Sequence, residues 1–446
     1  MSGNAQPKHL KNLGLASLGA VLEYFDFVVY VYVAAAVSKA FFPPDASPWV
    51  SQVQTFGIYA FGYLVRPVAG IAIAHFADRI GRKKLFLFTV LLMSVPTFLM
   101  GLLPTYAQIG WLAPILLLLL RLLQGCAVGG EIPGASVFIS EHAAPHRLGL
   151  ASGTFQGIVN CGLLLGAGAA SVADVISKLD PSMSELAWRL PFILGGIFGL
   201  MAAYLRRHLS ETPMFEQIRE ERTLARQTPL ATVVRVHRSA CLFALALVFA
   251  MSSTSGVYFQ YLPNYLITEY GYTQEMVFCA NILGVITFVL SMPLWGALRD
   301  AVGIGKTLAL GAVANAIVCV WFFQHLGGIG HSGSALAWAL VPVGVAGGCV
   351  HSLIPGTLSS LFPTAIRQSG FAFPYSIGTA VFTGLTPLTL AWLVRDFGLQ
   401  APMYFFLVAC GVAGVAAMLV KGIPLYLGTS ATAVKTPAAA MSEAAH

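Results

Sequence analysis

Long apolar stretches alternate with short polar segments along almost the whole chain. A helix that crosses a bilayer needs about 20 mostly apolar residues, and twelve stretches meet this requirement. The runs are continuous and do not alternate with a period of two, which favours spanning helices over barrel strands. We therefore predict an all-α membrane protein with twelve transmembrane helices. These are near residues 13–37, 52–73, 85–103, 113–138, 150–171, 189–206, 240–263, 276–298, 306–326, 335–359, 371–393 and 401–421.

The polar segments divide this pattern into two halves. Residues 207–238 follow the sixth stretch and are dense in charge. We expect a six-helix bundle in 1–206, a cytoplasmic linker in 207–238 and a second six-helix bundle in 239–422. Residues 423–446 are rich in Ala, Thr and Ser, so we expect a disordered cytoplasmic tail.

Lys and Arg are distributed unevenly among the polar segments. If the N-terminus is cytoplasmic, 19 of the 25 fall on the cytoplasmic side and 4 on the outside. The remaining two, Arg66 and Arg121, lie within apolar stretches. Because cytoplasmic loops of membrane proteins are enriched in Lys and Arg, this asymmetry predicts that both termini are cytoplasmic.

The composition excludes several other classes of protein. Hydrophobic residues make up 57% of the chain and charged residues 10%, against about 25% charged in soluble domains. The mean hydropathy of +0.77 argues against a soluble enzyme, a nucleic-acid-binding protein and a disordered chain. The seven cysteines lie in apolar runs without metal-ligand spacing, so we expect no disulfide framework, metal or cofactor. The first apolar stretch is too long for a signal peptide.

The two halves share features at matching positions. Asp78 follows the second stretch and Asp300 the eighth, 222 positions apart. Arg147 follows the fourth stretch and Arg367 the tenth, 220 positions apart. Two offsets near half the chain length indicate a six-helix unit used twice. Transporters built from such repeats hold their substrate near the bilayer midplane, between the repeats.

Two of these segments carry a family resemblance. The pattern Ala74-x-x-x-Asp78-Arg79-x-Gly81-Arg82-Lys83-Lys84 resembles the signature loop of the major facilitator superfamily, and Arg121-x-x-Gln124-Gly125 resembles its second motif. The chain more narrowly resembles the metabolite:proton symporters of that superfamily. The segments that carry this finer resemblance are Glu23-Tyr24-Phe25-Asp26-Phe27, Arg66-Pro67, Gly129-Gly130-Glu131, Trp188-Arg189-x-Pro191-Phe192, Glu211-Thr212-Pro213 and Phe362-Pro363-Thr364-x-x-Arg367.

Five ionisable residues lie within spans of the first half, where a charge costs roughly 2.5–3.5 kcal/mol. Burial disfavours the charged form of a carboxyl group, so Glu23, Asp26 and Glu131 are the proton-carrier candidates. Arg121 resembles a proton-coupling or gating arginine, and it could instead bind backbone groups. At about 1.5 Å of helix rise per residue, Arg66 and the three acids fall near one level and Arg121 in the outer third.

Arg66 has two interpretations. Arginine stays charged at all physiological pH values, so an arginine at this depth needs a carboxylate partner. That partner is either the substrate or a permanent ion-pair partner, Glu131 or Asp26. In one possible mechanism the substrate and the acid compete for Arg66.

Neutral polar side chains inside apolar spans complete the predicted substrate site, although such groups also hold helices together. His351 could titrate near neutral pH or could be hydrogen-bonded in place. The predicted substrate-binding residues are Arg66, Gln156, Asn160, Tyr258, Tyr261, Asn264, His351 and Tyr375.

A second group of charges lies at the predicted cytoplasmic ends of the spans. Opposite charges there can pair in one state and separate in another, so they predict a cytoplasmic gate. Topology alone could explain the basic members of the group. The group comprises Asp78, Arg79, Arg82, Glu141, Arg147, Asp300 and Arg367.

These features predict a proton-coupled secondary transporter that imports a small solute by alternating access. The resemblance implies organic acids or zwitterionic osmolytes as substrates, and Arg66 favours a carboxylate. We expect a small organic acid such as a di- or tricarboxylate. The alternative is a betaine or proline-type osmolyte, which the lack of heptads in the tail disfavours because the osmosensing branch carries a coiled coil there.

Three other functions fit the sequence less well. A drug/proton antiporter would carry a Gly-Pro step in the fifth span, which GTFQGIVNCGLLLGAG lacks. A non-transporting sensor would need a signalling domain, and the repeat disfavours a channel. The absence of a G-x-x-x-x-G-K-[ST] loop disfavours an ATP-driven pump. We expect a monomer in the bacterial inner membrane, with protons, a small-molecule substrate and the lipid bilayer as partners and no nucleic acid.

Overall fold

The structure is a computed structural model in which the following parts of the chain are described. For some residues inside helices, among them Arg82, Glu131 and Glu141, the description covers the backbone alone. The described ranges are 20–22, 24–26, 28–45, 47–70, 82–128, 131–206, 233, 236–330, 332–363 and 366–426.

The first half of the chain is helical. Its first two helices are bent by 63° relative to each other, and α5 and α6 together cover the predicted fourth span. The helices are α1 (Ala20–Tyr32), α2 (Ala34–Phe41), α3 (Pro48–Leu64), α4 (Arg82–Leu102), α5 (Leu112–Val128), α6 (Glu131–His142), α7 (Leu148–Leu179) and α8 (Leu190–Arg206).

The second half is also helical, and two of its spans contain a π-helical segment. The segment Ser255–Tyr261 joins α9 to α10, and Thr379–Thr383 joins α14 to α15. The helices are α9 (Arg238–Thr254), α10 (Leu262–Tyr270), α11 (Gln274–Val302), α12 (Ile304–His325), α13 (Gly333–Ser360), α14 (Arg367–Gly378), α15 (Gly384–Phe397) and α16 (Ala401–Leu419).

Local sequence signals set several helix ends. Ser47 caps α3 by accepting a hydrogen bond from the Val50 amide, and a proline follows it at the first helical position. Thr273 caps α11 in the same way. Gly271, with φ of +69°, ends α10 in a left-handed conformation that suits glycine. Capping and turn residues between the apolar runs thus set the ends of these helices.

The all-helical prediction is confirmed, and a described helix lies at each of the twelve predicted stretches. Within the described ranges, nine helices are long and apolar enough to cross a membrane, and the bent pair α1–α2 makes ten. The count of twelve and the cytoplasmic termini stay predictions. Large apolar side chains on the outer surface are exposed, among them Leu294, Trp338 and Met418, as expected of helices that face lipid.

Helices α7 and α11 pack antiparallel and join the two halves. Gly149 and Gly153 of α7 lie so close to α11 that a Cβ would overlap with the carbonyl oxygens of Gly296 and Met292, respectively. Glycine is therefore required for the backbones to approach this closely. At the other end of the pair, Lys178 Nζ lies 3.6 Å from Glu275 Oε2. The two halves are thus in contact along the full length of these helices.

Candidate functional site

A small cavity of about 30 Å³ lies between the two halves, with room for one or two water molecules in this state. Three first-half helices or their ends reach it, and Arg66 follows directly after α3. Arg66 is the one charged side chain among the described residues that line the cavity. The first-half lining residues are Tyr24, Val28, Tyr63, Arg66 and Ile132.

Arg66 is buried and stacks on an aromatic ring. Its guanidinium carbon lies 3.7 Å from the centroid of the Tyr63 ring, and its side chain is 6% exposed. The N–H donors of a planar guanidinium group can bind a carboxylate in a bidentate fashion. The geometry fits an anion-binding group at the cavity.

The second half lines the cavity with neutral groups. The π-helical segments contribute four of them, two from each segment, and α9 and α14 contribute one each. π-Helical turns are often found at functional sites because they shift the register of the helix. The second-half lining residues are Met251, Ser255, Gln260, Tyr375, Thr379 and Thr383.

A buried polar network lies behind the cavity in the first half. Thr97 Oγ1 lies 3.1 Å from Asp26 Oδ2 and accepts a hydrogen bond of 2.8 Å from Gln124 Nε2. Gln124 Oε1 accepts a hydrogen bond from Arg121 Nη1. All four side chains are at most 1% exposed. The structure thus links Asp26 to Arg121, although the helix-rise estimate had put these two residues at different depths in the membrane.

A series of tyrosine rings connects this network to the cavity. The Arg121 guanidinium carbon lies 4.0 Å from the Tyr30 ring centroid and 5.7 Å from that of Tyr59. Tyr59 in turn packs on Tyr63, with ring centroids 5.0 Å apart, and the Arg66 guanidinium group stacks on the Tyr63 ring. The two buried arginines therefore interact with one continuous aromatic cluster.

The described contacts of Asp26 bear on the two interpretations of Arg66. Asp26 hydrogen-bonds Thr97, and Oδ1 of Asp26 has no hydrogen-bond partner in the part of the chain that the structure describes. Thr97 is thus the described hydrogen-bonding partner of Asp26, and the choice between the two interpretations of Arg66 stays a prediction. Glu23 and the side chain of Glu131 lie outside the described residues, so their proton-carrier role and the Glu131 ion pair stay predictions.

His351 lies one side chain behind the cavity wall. Its Nε2 is 2.8 Å from Oγ of the lining residue Ser255, and its ring packs edge-on against Phe288 at 4.8 Å. The side chain is fully buried. Of the predicted substrate-binding residues, Arg66 and Tyr375 line the cavity directly, and His351 supports a residue that does.

The other predicted substrate-binding residues of the second half lie elsewhere among the described side chains. Tyr258 packs against Phe323 and Phe406 at centroid distances of 6.3 and 4.8 Å, respectively. Tyr261 packs on Tyr265, and neither it nor Asn264 lines the cavity. The π-helical turn is the physical reason. In a π-helix the hydrogen-bonded residues are five positions apart, so Ser255 and Gln260 both line the cavity and the tyrosines do not.

Gln156 and Asn160 also lie away from the cavity lining described here. Both are buried where α7 faces α11, and Asn160 Nδ2 donates to the Gln156 carbonyl oxygen at 2.8 Å. The same nitrogen lies 3.9 Å from Met292 Sδ. In this state the pair contributes to the contact between the two halves, which is the helix-joining role of such residues.

The predicted gate is described in part. Asp300 accepts hydrogen bonds from the amides of Gly149 and Leu150, with N···O distances of 2.6 and 2.8 Å. A carboxylate is favourable there because the first amides of α7 lack helical partners and carry partial positive charge. Asp300 of the second repeat thus holds the start of a first-half helix.

The arginines of this region behave differently from one another. Arg147 is exposed, whereas Arg367 is buried and donates to the Phe362 carbonyl oxygen at 3.3 Å. Arg299, which the sequence places among loop charges, is 5% exposed and lies against Gly356. The sequence signal for Arg299 was its position next to Asp300, which matches Asp78 of the signature loop at an offset of 222 positions. Asp78 and Arg79 lie outside the described residues, as do the side chains of Arg82 and Glu141.

Comparison with known proteins decides the family. The family model of the Major Facilitator Superfamily matches residues 16–373. The chain belongs to this superfamily. A proline/betaine transporter of Salmonella typhimurium is 32% identical over 421 residues, covering 92% of this chain and 83% of that protein. A glycine betaine/proline/ectoine/pipecolic acid transporter of Dickeya dadantii, OusA, is 33% identical over 424 residues with the same coverage.

Solved structures of the superfamily share the fold. The proton:xylose symporter XylE bound to 6-bromo-6-deoxy-D-glucose superposes with a TM-score of 0.75 at 16% identity, covering 94% of this chain and 96% of that one. A partially occluded inward-open form of XylE from E. coli gives a TM-score of 0.72. The resemblance stated from the motifs is thus confirmed. As a superfamily member, the chain is a multi-pass transporter of the bacterial cell membrane and not an enzyme.

Proposed function

We propose that this transporter takes up a small zwitterionic solute of the betaine or proline type together with protons. The observation that carries the proposal is the cavity lining, in which a single described charge, Arg66, is accompanied by the rings of Tyr24, Tyr63 and Tyr375. Arg66 provides a partner for one carboxylate. Aromatic faces attract an ammonium or quaternary ammonium group, so both charges of a zwitterion find partners.

The same lining disfavours our sequence-based expectation of a di- or tricarboxylate. A buried charge without a partner is costly, and the described wall offers one cation for two or three carboxylates. The similar transporters of Salmonella typhimurium and Dickeya dadantii are named for proline, betaine and related solutes, which also favours the zwitterionic alternative. The argument from the tail rested on a comparison with the coiled coil of the osmosensing branch and used no residue of the cavity lining.

Proton coupling is proposed to occur in the first-half network. Asp26 is the described acid buried among polar partners, and Arg121 lies within its electrostatic reach. The tyrosine cluster connects Arg121 to Arg66, so a change in the charge of Asp26 can alter the position of the substrate-binding arginine. Alternating access then requires that the Asp300 contact with α7 break and re-form in each cycle.

Uptake by the purified protein in proteoliposomes tests this proposal. With an acidic exterior, we expect accumulation of radiolabelled glycine betaine or proline that a protonophore abolishes. Excess unlabelled succinate or citrate should compete poorly. Accumulation of succinate and not of the zwitterions would support the organic-acid alternative, and uptake indifferent to the protonophore would show that transport is not proton-coupled.

A further inference from the structure

The hydroxyl group of Thr97 has more neighbours than one hydroxyl can serve in a single orientation. Its Oγ1 lies 3.1 Å from Asp26 Oδ2, 2.9 Å from the Met93 carbonyl oxygen and 2.8 Å from Gln124 Nε2. A hydroxyl group has one proton to donate and two lone pairs to accept. The Gln124 amide can only donate to it, so Asp26 and Met93 compete for the hydroxyl proton.

We propose that Thr97 is a positioning residue that changes its hydrogen-bond donation with the protonation of Asp26 and holds the Gln124 amide, and through it Arg121, in place in both states. This proposal rests on the proposed proton symport. When Asp26 is ionised, Thr97 donates to Oδ2, since a charged acceptor makes the stronger hydrogen bond. When Oδ2 carries a proton, Asp26 donates to Oγ1, and the Thr97 proton turns to the Met93 carbonyl oxygen.

Both arrangements satisfy Thr97 without moving a heavy atom. In the protonated state Oγ1 accepts from Asp26 and from Gln124 and donates to Met93, which uses its full capacity. A buried hydroxyl with satisfied partners in both states adds no desolvation cost to the switch.

Gln124 connects this switch to the buried arginine. One end of its amide donates to Thr97 and the other accepts from Arg121 Nη1. Because the amide is planar, a fixed partner at one end fixes the position of the other end. Without the Thr97 hydroxyl the amide is free to turn, and Arg121 loses a defined partner.

The surroundings of Asp26 leave Thr97 as its described hydrogen-bonding partner. From α5 the facing charge is Arg121, from α1 itself the facing titratable group is Tyr30, and from α3 it is Tyr59 beyond Arg121. From α8 the neighbour is Gly195, where a Cβ would stand 2.7 Å from Asp26 Oδ1. The helix α8 thus contributes close backbone and no charge at this point.

Infrared difference spectroscopy of the purified protein tests this inference without any substrate. The carboxyl band that disappears in Asp26→Asn is titrated with pH in the wild type and in Thr97→Val. Hydrogen bonds to a carboxylate favour its ionised form. Their loss should move the titration midpoint of the band upward by about one pH unit. Thr97→Ser keeps the hydroxyl and should retain the wild-type midpoint.

A matched control separates the switch from simple packing. Ser94 is a buried hydroxyl on the same helix that donates to the Val90 carbonyl oxygen at 2.7 Å, and Ser94→Ala should leave the midpoint unchanged. If Thr97→Val does not fold, the contrast between Thr97→Ala and Thr97→Ser gives the same comparison.

Three outcomes would overturn the inference. They are an unchanged midpoint in Thr97→Val or Thr97→Ala, an equal shift in Ser94→Ala, and a wild-type spectrum with no band that Asp26→Asn removes. The first two leave proton symport intact, because the uptake experiment measures that separately. Symport could likewise fail in proteoliposomes while the midpoint still shifts, so the two results are independent.

Discussion

The two halves of the molecule face the same cavity with different chemistry. The first half contributes Arg66 at the wall, with Asp26 and Arg121 in a buried network behind it. The second half contributes neutral groups, of which Ser255 and Gln260 come from a π-helical turn. Among the described residues that line the cavity, the charge therefore comes from the first half, and the second half contributes neutral groups. The proposed proton chemistry belongs to the first half as well.

The division has a physical advantage. Each charge within the bilayer is expensive unless it is paired or hydrogen-bonded, and a single compact network can satisfy several polar groups at once. Neutral hydroxyl and amide groups cost less to bury, so they can be exchanged more freely to fit a particular solute. Substitutions in the two halves should consequently change transport by different amounts and in different ways.

The largest expected effect comes from the first-half charge at the cavity. Arg66→Lys keeps the positive charge and loses the planar fork, so it should raise the KM for zwitterion uptake by about 10- to 100-fold. Arg395→Lys is the matched control, since Arg395 also stacks on an aromatic ring, that of Trp49, but lies outside the described cavity lining. A wild-type KM in Arg66→Lys, measured in proteoliposomes, would remove Arg66 from the binding site.

An intermediate effect is expected where the halves meet. Asp300→Asn removes the negative charge at the start of α7, and such a charge is worth about 0.3–2 kcal/mol. Amides 149–152 should then exchange with solvent about 2- to 30-fold faster, as measured by hydrogen-exchange mass spectrometry.

The opposite end of the same helix pair provides the control. Lys178 and Glu275 are exposed, and exposed ion pairs contribute little, so Glu275→Gln should leave the exchange of amides 149–152 as in the wild type. Equal exchange in Asp300→Asn and the wild type would show that Asp300 does not hold the two halves together.

The smallest effect is expected in the neutral half. Ser255→Ala removes a lining hydroxyl and the partner of His351 Nε2, and a neutral hydrogen bond is worth about 0.5–1.5 kcal/mol. The KM should rise about two- to tenfold with unchanged proton dependence. Ser253→Ala, at a buried neighbour outside the described lining, should have no effect on the KM. A pH profile altered by Ser255→Ala would assign proton coupling to the second half as well.

Much of the candidate site was predictable from rare residues in apolar surroundings. Asp26, Arg66 and Arg121 stood out because an ionisable side chain in a span is unexpected without a function. Their grouping was less predictable, because a helix-rise estimate ignores tilt and bends, and α1 and α2 are bent by 63°. Thr97 gave no sequence signal, since a threonine in an apolar helix is ordinary. Its proposed role follows from its contacts with Asp26, Met93 and Gln124.

The second-half site was harder to predict because a polar side chain within an apolar span does not reveal which way it faces. Tyr258 and Tyr261 were chosen as such polar groups, whereas the structure brings Ser255 and Gln260 of the π-helical turn to the cavity. Arg299 shows the same difficulty at a helix end, where position along the chain indicates a loop charge and packing against Gly356 buries it.

The helical architecture and the superfamily could be predicted from the chain alone, because they follow from local hydrophobicity and from motifs whose spacing is fixed along the chain. The duplicated six-helix unit stays a prediction. Which polar groups share a network, which line the cavity and where the two halves touch became known only from the packing of the helices. Those contacts join residues such as Asp26 and Thr97, or Gly149 and Asp300, that are 71 and 151 positions apart. Their proximity depends on helix packing, which no local pattern encodes.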